Sequence, residues 1–143
     1  MMDKISIFVD GAIAGAKHTG IAAVARTADG CFLGWLSRQR PRMTNNEAEY
    51  EATLLGLNLA QQLGAEVVEI VSDSEVVVRQ MKGWSRVNSS RLKPLHSQTC
   101  RTVANFKRVL FTHVPRDQNR LADALAAEAL SGRLVKMQTR RGR

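Results

Sequence analysis

Thr44-Asn45-Asn46-Glu47-Ala48-Glu49-Tyr50 is the stretch where the periodicity of the chain changes. Thr44 as N-cap and Glu47 three positions later compose a capping box, in which each side chain serves the other's backbone N–H. The spacing predicts a long helix from there to about Leu63, with Gly64 suited to the C-terminal cap. Positions 49, 52, 53, 56 and 60 share one helical stripe, and they read Glu49, Ala52, Thr53, Gly56 and Ala60. Small, mostly apolar residues let a helix approach a sheet closely, so Glu49 points toward that sheet while Glu47 and Glu51 project elsewhere. A carboxylate in that position is costly unless a cation or hydrogen bonds compensate it; otherwise it is a rim glutamate favoured by the helix dipole.

Upstream of this stretch the pattern is extended. Residues 4–9 (KISIFV), 20–28 and 31–37 are apolar, β-rich runs, and Asp29-Gly30 between the last two is a hairpin signal. The first run ends at Asp10-Gly11. Downstream the chain alternates. Residues 66–71 (EVVEIV) read as a buried strand, and a helix follows Ser72-Asp73 to about Met81. A basic connection surrounds Trp84, residues 91–105 are helical with Pro94 in the first turn, and residues 107–114 form a last strand. A turn at 115–119 leads to an Ala/Leu-rich helix at 120–130. The order βββαβα(α)βα is that of an α/β fold. It predicts a five-stranded mixed sheet, three antiparallel strands followed by parallel additions, flanked by helices. Ligands of such sheets bind at the carboxyl ends of strands.

A chain of 143 residues is one domain's worth, and its 44% hydrophobic and 24% charged content is ordinary globular composition and argues against disorder. No apolar run approaches the ~18 residues of a membrane span, and no basic-then-apolar leader is visible. Two cysteines, Cys31 and Cys100, are too few for a disulfide scaffold, so the expected location is cytoplasmic. The charge is unevenly placed. Residues 1–75 carry a net −4, residues 76–116 hold nine basic residues and no acidic one, and the segment from 131 adds five basic residues. A field of that kind suits a polyanion, nucleic acid above all; the bland reading is solubility. The domain is expected to occupy 1–130, with 131–143 a flexible basic tail.

Against that field stand four carboxylates at strand ends or inward helix faces: Asp10, Glu49, Asp73 and Asp123. Each has an ordinary reading. Asp10 suits a turn, Asp73 an N-cap, and Asp123 a helix surface. Together they offer the oxygen ligands that hard divalent cations take, and two such ions ~3.5–4 Å apart can activate a water and stabilise a leaving phosphodiester oxygen. His18, His96 and His113 sit in no nucleophile motif.

Phe8-Val9-Asp10-Gly11, Thr44-Asn45-Asn46-Glu47-Ala48-Glu49-Tyr50, Ser72-Asp73-Ser74 and Asn119-Arg120-Leu121-Ala122-Asp123 resemble, in order and spacing over residues 4–130, type 1 ribonuclease H of the compact branch. The resemblance implies a ribonuclease H-like fold and hydrolysis of the RNA strand of RNA/DNA hybrids, leaving 5′-phosphate and 3′-hydroxyl ends. It implies two Mg²⁺ ions, with Mn²⁺ a substitute. Asp10 would bridge them, Glu49 and Asp73 would complete one site, and Asp123 would hold the ion that carries the attacking water. Gly11, Asn45 and Asn46 match residues that read 2′-hydroxyls in the minor groove; Arg42 and Thr44 match a grip on a DNA-strand phosphate. Trp84 and Arg86 stand in a shortened handle. His113 and Arg116 are the two candidates for a fifth functional residue, and Arg116, in the turn itself, is favoured. The loop 12–18 lacks the family's substrate-contacting asparagine, and Glu75 replaces a glutamine of some members. A monomer acting without a protein partner or a membrane is expected. Two alternatives stay open: a non-catalytic hybrid- or junction-binding module, and a metal-dependent DNA nuclease of the same superfamily. A phosphoacceptor domain would need an acidic pair near the first strand and a lysine after the last, and neither is evident.

Overall fold

The computed structural model describes residues 4–13, residues 17–131 and the backbone of Gln138–Thr139. The elements follow in the order β1 (Ile5–Ala12), β2 (His18–Thr27), β3 (Phe32–Pro41), α1 (Asn45–Gln62), β4 (Val67–Ser72), α2 (Glu75–Met81), α3 (Leu92–Val103), β5 (Arg108–His113), a 3₁₀ turn (Arg116–Gln118), α4 (Arg120–Leu130) and β6 (Gln138–Thr139). The sheet order is β5-β4-β1-β2-β3-β6. β1, β2 and β3 form the antiparallel meander, and β4 and β5 add in parallel. The five expected strands are therefore present. The sixth is a two-residue pairing of β6 with Gly34 and Trp35, inside the segment expected to be a tail. The remainder of that segment, 132–137 and 140–143, lies outside the described residues, as do Met1, Met2, Asp3 and residues 14–16.

The hairpin forms as its dipeptide demands. Gly30 takes φ +92°, a left-handed conformation open to glycine, and its N–H donates to the Thr27 carbonyl at 2.9 Å. β1 departs from expectation by running on to Ala12, so Asp10 lies within the strand, opposite Ala22, rather than in a turn after it.

The helix that opens at Thr44 carries both halves of the capping box: Thr44 N–H donates to Glu47 Oε1 at 2.8 Å, and Glu47 N–H to Thr44 Oγ1 at 3.2 Å. Its small-residue stripe is buried, with Ala52, Thr53 and Ala60 at 0% exposure. A Cβ on Gly56 would stand 2.6 Å from Val9 Cγ1, so α1 rests directly on β1. Alternate strand residues Ile5, Ile7 and Val9 face α1 and belong to the main core; each fully buried side chain of that size contributes roughly 1.5–3 kcal/mol. α4 packs on the sheet's other face. A Cβ on Gly20 would fall 1.9 Å from the Ala126 carbonyl oxygen, which fixes how closely α4 lies on β2.

A smaller cluster of Tyr50, Val77 and Leu92 joins α1, α2 and α3. There Tyr50 Oη donates to Gln80 Oε1 at 2.7 Å, and Gln80 Nε2 donates to the Arg86 carbonyl at 3.2 Å. The basic connection is thereby tied to the long helix.

Candidate active site

β1 and β4 pair in parallel only as far as Val9 and Ser72, and there they part. The crevice at that split receives carboxylates from both strands and from the helices on either face. Asp10 is 4% exposed on β1, and Glu49 is 6% exposed in the first turns of α1. Asp73 follows β4. Oxygens from these three lie within 4.8 Å of one another. Asp123, half-buried on α4, lines the same cleft of about 380 Å³, together with Gly11, Asn45 and Arg116.

Local structure explains each position. The Gly11 N–H donates to Glu49 Oε1 at 3.2 Å, which aims that carboxylate round the end of the sheet. A Cβ on Gly11 would stand 2.8 Å from Ala48 Cβ and 2.9 Å from its carbonyl oxygen, so only glycine permits this approach. Asp73 is not the helix cap that its sequence context allowed. Ser74 caps α2, its Oγ accepting from the Val77 N–H at 3.3 Å, and the Asp73 carboxylate is left for the cleft. Arg116 Nη2 lies 3.6 Å from Asp123 Oδ1. His113 closes β5, exposed, and is not among the residues that line the cleft.

Four carboxylates in one crevice repel. Burial first, then the neighbouring charges of Glu49 and Asp73 and contact with Asp123, drives the Asp10 carboxyl far above the usual carboxylate range. Burial, with the charge of Asp73, raises Glu49 to about 8, against the opposing Gly11 hydrogen bond. A cation between them would relieve both. Their donor set, carboxylate oxygens converging from three elements, is that of a hard divalent ion.

One residue had no role assigned from sequence. Asn119 is 2% exposed. Its Nδ2 donates to the Val9 carbonyl at 2.8 Å and to Asp73 Oδ2 at 3.3 Å, while its own carbonyl accepts the Asp123 N–H at 3.1 Å. It thus touches the elements bearing three of the four carboxylates, supplying a donor where the β1–β4 ladder ends. Among the described residues none hydrogen-bonds its buried Oδ1. A contact spanning 110 residues leaves no local signal; only its place in the 119–123 string hinted at it.

The other expected contacts surround the cleft. Asn45 and Asn46 open α1, with Thr44 as its N-cap and exposed Arg42 just before. Trp84 is 63% exposed, and Lys82 Nζ stands 4.4 Å from its ring centroid. Arg86 and Lys93 line a separate cleft between α2 and α3. Residues 14–16 of the atypical loop lie outside the described residues; Ala12 and Ile13 line the carboxylate cleft.

Comparison with known proteins agrees with this geometry. Residues 8–129 match the family described as reverse transcriptase-like. The chain is 37% identical over 129 residues to the bifunctional protein Rv2228c of Mycobacterium tuberculosis, covering 89% of this chain and 35% of that protein. It is 34% identical over 130 residues to ribonuclease HI of Halobacterium salinarum, covering 89% of this chain and 64% of that one. The chain thus spans about a third of the mycobacterial relative. Among solved structures, Halobacterium RNase H1 superposes with a TM-score of 0.87 at 31% identity, covering 92% of this chain and all of that one. LC11-RNase H1, solved in complex with an RNA/DNA hybrid, gives 0.84 at 33% identity over 90% of this chain and 97% of that one. The chain belongs to the reverse-transcriptase-like family and, within it, to the type 1 ribonucleases H.

Proposed function

We propose that this protein hydrolyses the RNA strand of RNA/DNA hybrids with the help of two divalent ions, Mg²⁺ or Mn²⁺ in its place, leaving 5′-phosphate and 3′-hydroxyl ends. The observation that carries the reading is the convergence of Asp10, Glu49 and Asp73 oxygens within 4.8 Å, with Asp123 and Arg116 in the same cleft. The donor set fits the ions. Asp10 would bridge them, Glu49 and Asp73 would complete one site, and Asp123 would serve the other. When bound, such ions activate a water and stabilise the leaving oxygen.

The chain's own residues supply the rest. Gly11 holds Glu49 in place through its N–H. Asn119 orients Asp73 and anchors the start of α4. Arg116, paired with Asp123, offers a cation to the non-bridging oxygens of the scissile phosphate. Gly11, Asn45 and Asn46 at the mouth are placed to meet ribose 2′-hydroxyls, and Arg42 and Thr44 to hold a phosphate of the other strand. Trp84 and Arg86 would extend that grip. The division into a nuclease domain (1–130) and a basic tail (131–143), a monomeric state and a cytoplasmic location belong to the same proposal. Among the described residues no helix is long and apolar enough to cross a membrane.

The test is incubation of the protein with end-labelled RNA/DNA, DNA/DNA and RNA/RNA duplexes, with Mg²⁺, Mn²⁺ or EDTA. Cleavage confined to the RNA strand of the hybrid, and abolished by EDTA, is expected. A hybrid bound but left whole would make the chain a binding module; a cut DNA duplex would make it a DNA nuclease.

A further inference from the structure

A groove of about 500 Å³ lies between β3, α1 and α3, sharing no lining residue with the carboxylate cleft. Its bottom is apolar: Ile21 and Leu55 are 3% and 7% exposed. Its walls are the exposed amides Asn58 and Gln61 on α1 and Gln98 on α3. Its rim is Arg38 and Arg40.

The arginines follow from strand geometry. Even-numbered residues of β3 face α1, where Leu36 is fully buried. Arg38 and Arg40 continue that face, and Arg42 follows two residues later. Side chains two apart on a strand stand ~6.8 Å from each other, the scale on which phosphates succeed one another along a nucleic-acid strand. Glu51 is the one carboxylate in the groove, 3.5 Å from Arg40. Arg38 and Arg42 form no ion pair among the described residues. Three arginines in a row thus share a single carboxylate, and a polyanion lying along them would offset the repulsion that Glu51 leaves.

We infer that this groove binds a single-stranded phosphodiester chain continuing from the duplex held at the carboxylate cleft. Amides that can donate and accept, above an apolar floor, suit backbone and sugar. Among the described residues no aromatic side chain lines the groove, so bases are not stacked and the binding is indifferent to sequence. The row leads from Arg38 to Arg42, the residue proposed to hold a phosphate. Contact between the groove and the bound duplex therefore rests on the nuclease reading, whereas the groove's affinity for a strand does not.

The experiment compares KM and kcat for a blunt hybrid with those for hybrids carrying a single-stranded extension of about eight nucleotides, either DNA or RNA. Affinity for the free oligonucleotide is followed by fluorescence anisotropy. The extended hybrid is expected to show a KM about five- to tenfold lower than the blunt one, with kcat unchanged, and the two extensions show which sugar is preferred. The double variant Arg38→Gln/Arg40→Gln keeps the aliphatic stems. It should erase that advantage, leave the blunt substrate as it was, and flatten the salt slope for the oligonucleotide by about 1.4, at about 0.7 for each single-strand phosphate no longer neutralised. Glu51→Gln should widen the advantage. Equal KM for blunt and extended hybrids would overturn the inference. So would an advantage that survives in the double variant, or an acidic peptide that outcompetes the oligonucleotide. If the blunt hybrid is neither bound nor cut, the nuclease reading fails instead, and the anisotropy measurement still tests the groove.

Discussion

At Asp10 and Glu49 the protonation equilibrium is part of the structure. Both acids hold a proton more tightly in the folded chain than in the unfolded one, Glu49 up to about 8 from an ordinary 4.5 and Asp10 from 3.8 in the same direction. The folded, metal-free protein therefore binds more protons than the unfolded chain above those ordinary values. Its stability from this pair is intact at lower pH and is lost as pH rises toward 8. Asp10→Asn removes one of the crowded charges. Thermal melts in EDTA should show the variant more stable than the parent at pH 8 and little different at pH 4. Hybrid cleavage should fall by more than the roughly 10–100-fold that loss of an outer partner of a metal site costs. Near-normal cleavage by Asp10→Asn would sink the proposed metal site. Asn119 is the complementary case. Asn119→Ala leaves the Val9 carbonyl and Asp73 Oδ2 without this donor. It should cost about 1–3 kcal/mol in a melt and weaken Mn²⁺ binding, read by calorimetry, about 10–100-fold. Asn119→Asp should bind Mn²⁺ no better than the alanine variant, because it sets an acceptor against two acceptors.

The elements that carry these residues are fixed by short-range chemistry in one case and by close approach in the other. α1 was legible because a capping box is local: Thr44 and Glu47 need only each other. Glu47→Ala should cost about 0.5–2 kcal/mol of stability and leave the carboxylate geometry intact. Its small-residue stripe was legible too, since 3.6-residue periodicity shows which side faces a sheet. The position of α4 was not. It depends on Gly20, a residue of another element, and the sequence shows no reason for glycine in a buried strand position. Gly20→Ala would drive a methyl into the Ala126 carbonyl, which stands 1.9 Å from the site of that Cβ. Backbone must move, and Asp123 lies one turn before Ala126. The variant should lose about 1–3 kcal/mol of stability and a disproportionate share of Mn²⁺ affinity. A melt and a calorimetric titration separate the two losses. Unchanged Mn²⁺ affinity would show that α4 is held elsewhere. The end of β1 was also misjudged, because Asp10-Gly11 carries turn chemistry that strand pairing with Ala22 and Ile21 overrides. Ser74 took the capping role open to Asp73 for a similar reason: either residue fits the local rule, and only the fold decides between them.

Over the whole molecule the charge asymmetry seen in the sequence becomes a division of labour. Four of the acidic residues meet at one crevice, and the acid-free stretch 76–116 supplies most of α2, the connection around Trp84, all of α3, β5 and the approach to Arg116. Anchoring that connection falls to Tyr50 and Gln80, which are buried, so its cations can be changed without loosening the core. Arg91 is the exception: it lies 3.7 Å from Glu47 and supports the cap of α1. The cleaner test therefore changes Arg86 and Lys93 and leaves Arg91 in place. Each phosphate left without its cation should reduce the slope of log K against log salt by about 0.9, a value for duplex DNA taken as a guide to hybrids. Arg86→Gln/Lys93→Gln should raise KM at low salt, raise it less at high salt, and retain most of the turnover at saturating hybrid, because neither residue reaches the carboxylate cleft. Steady-state kinetics at several salt concentrations measure both quantities. A collapsed turnover with an unchanged salt slope would assign one of these cations to the chemistry, in the role proposed for Arg116.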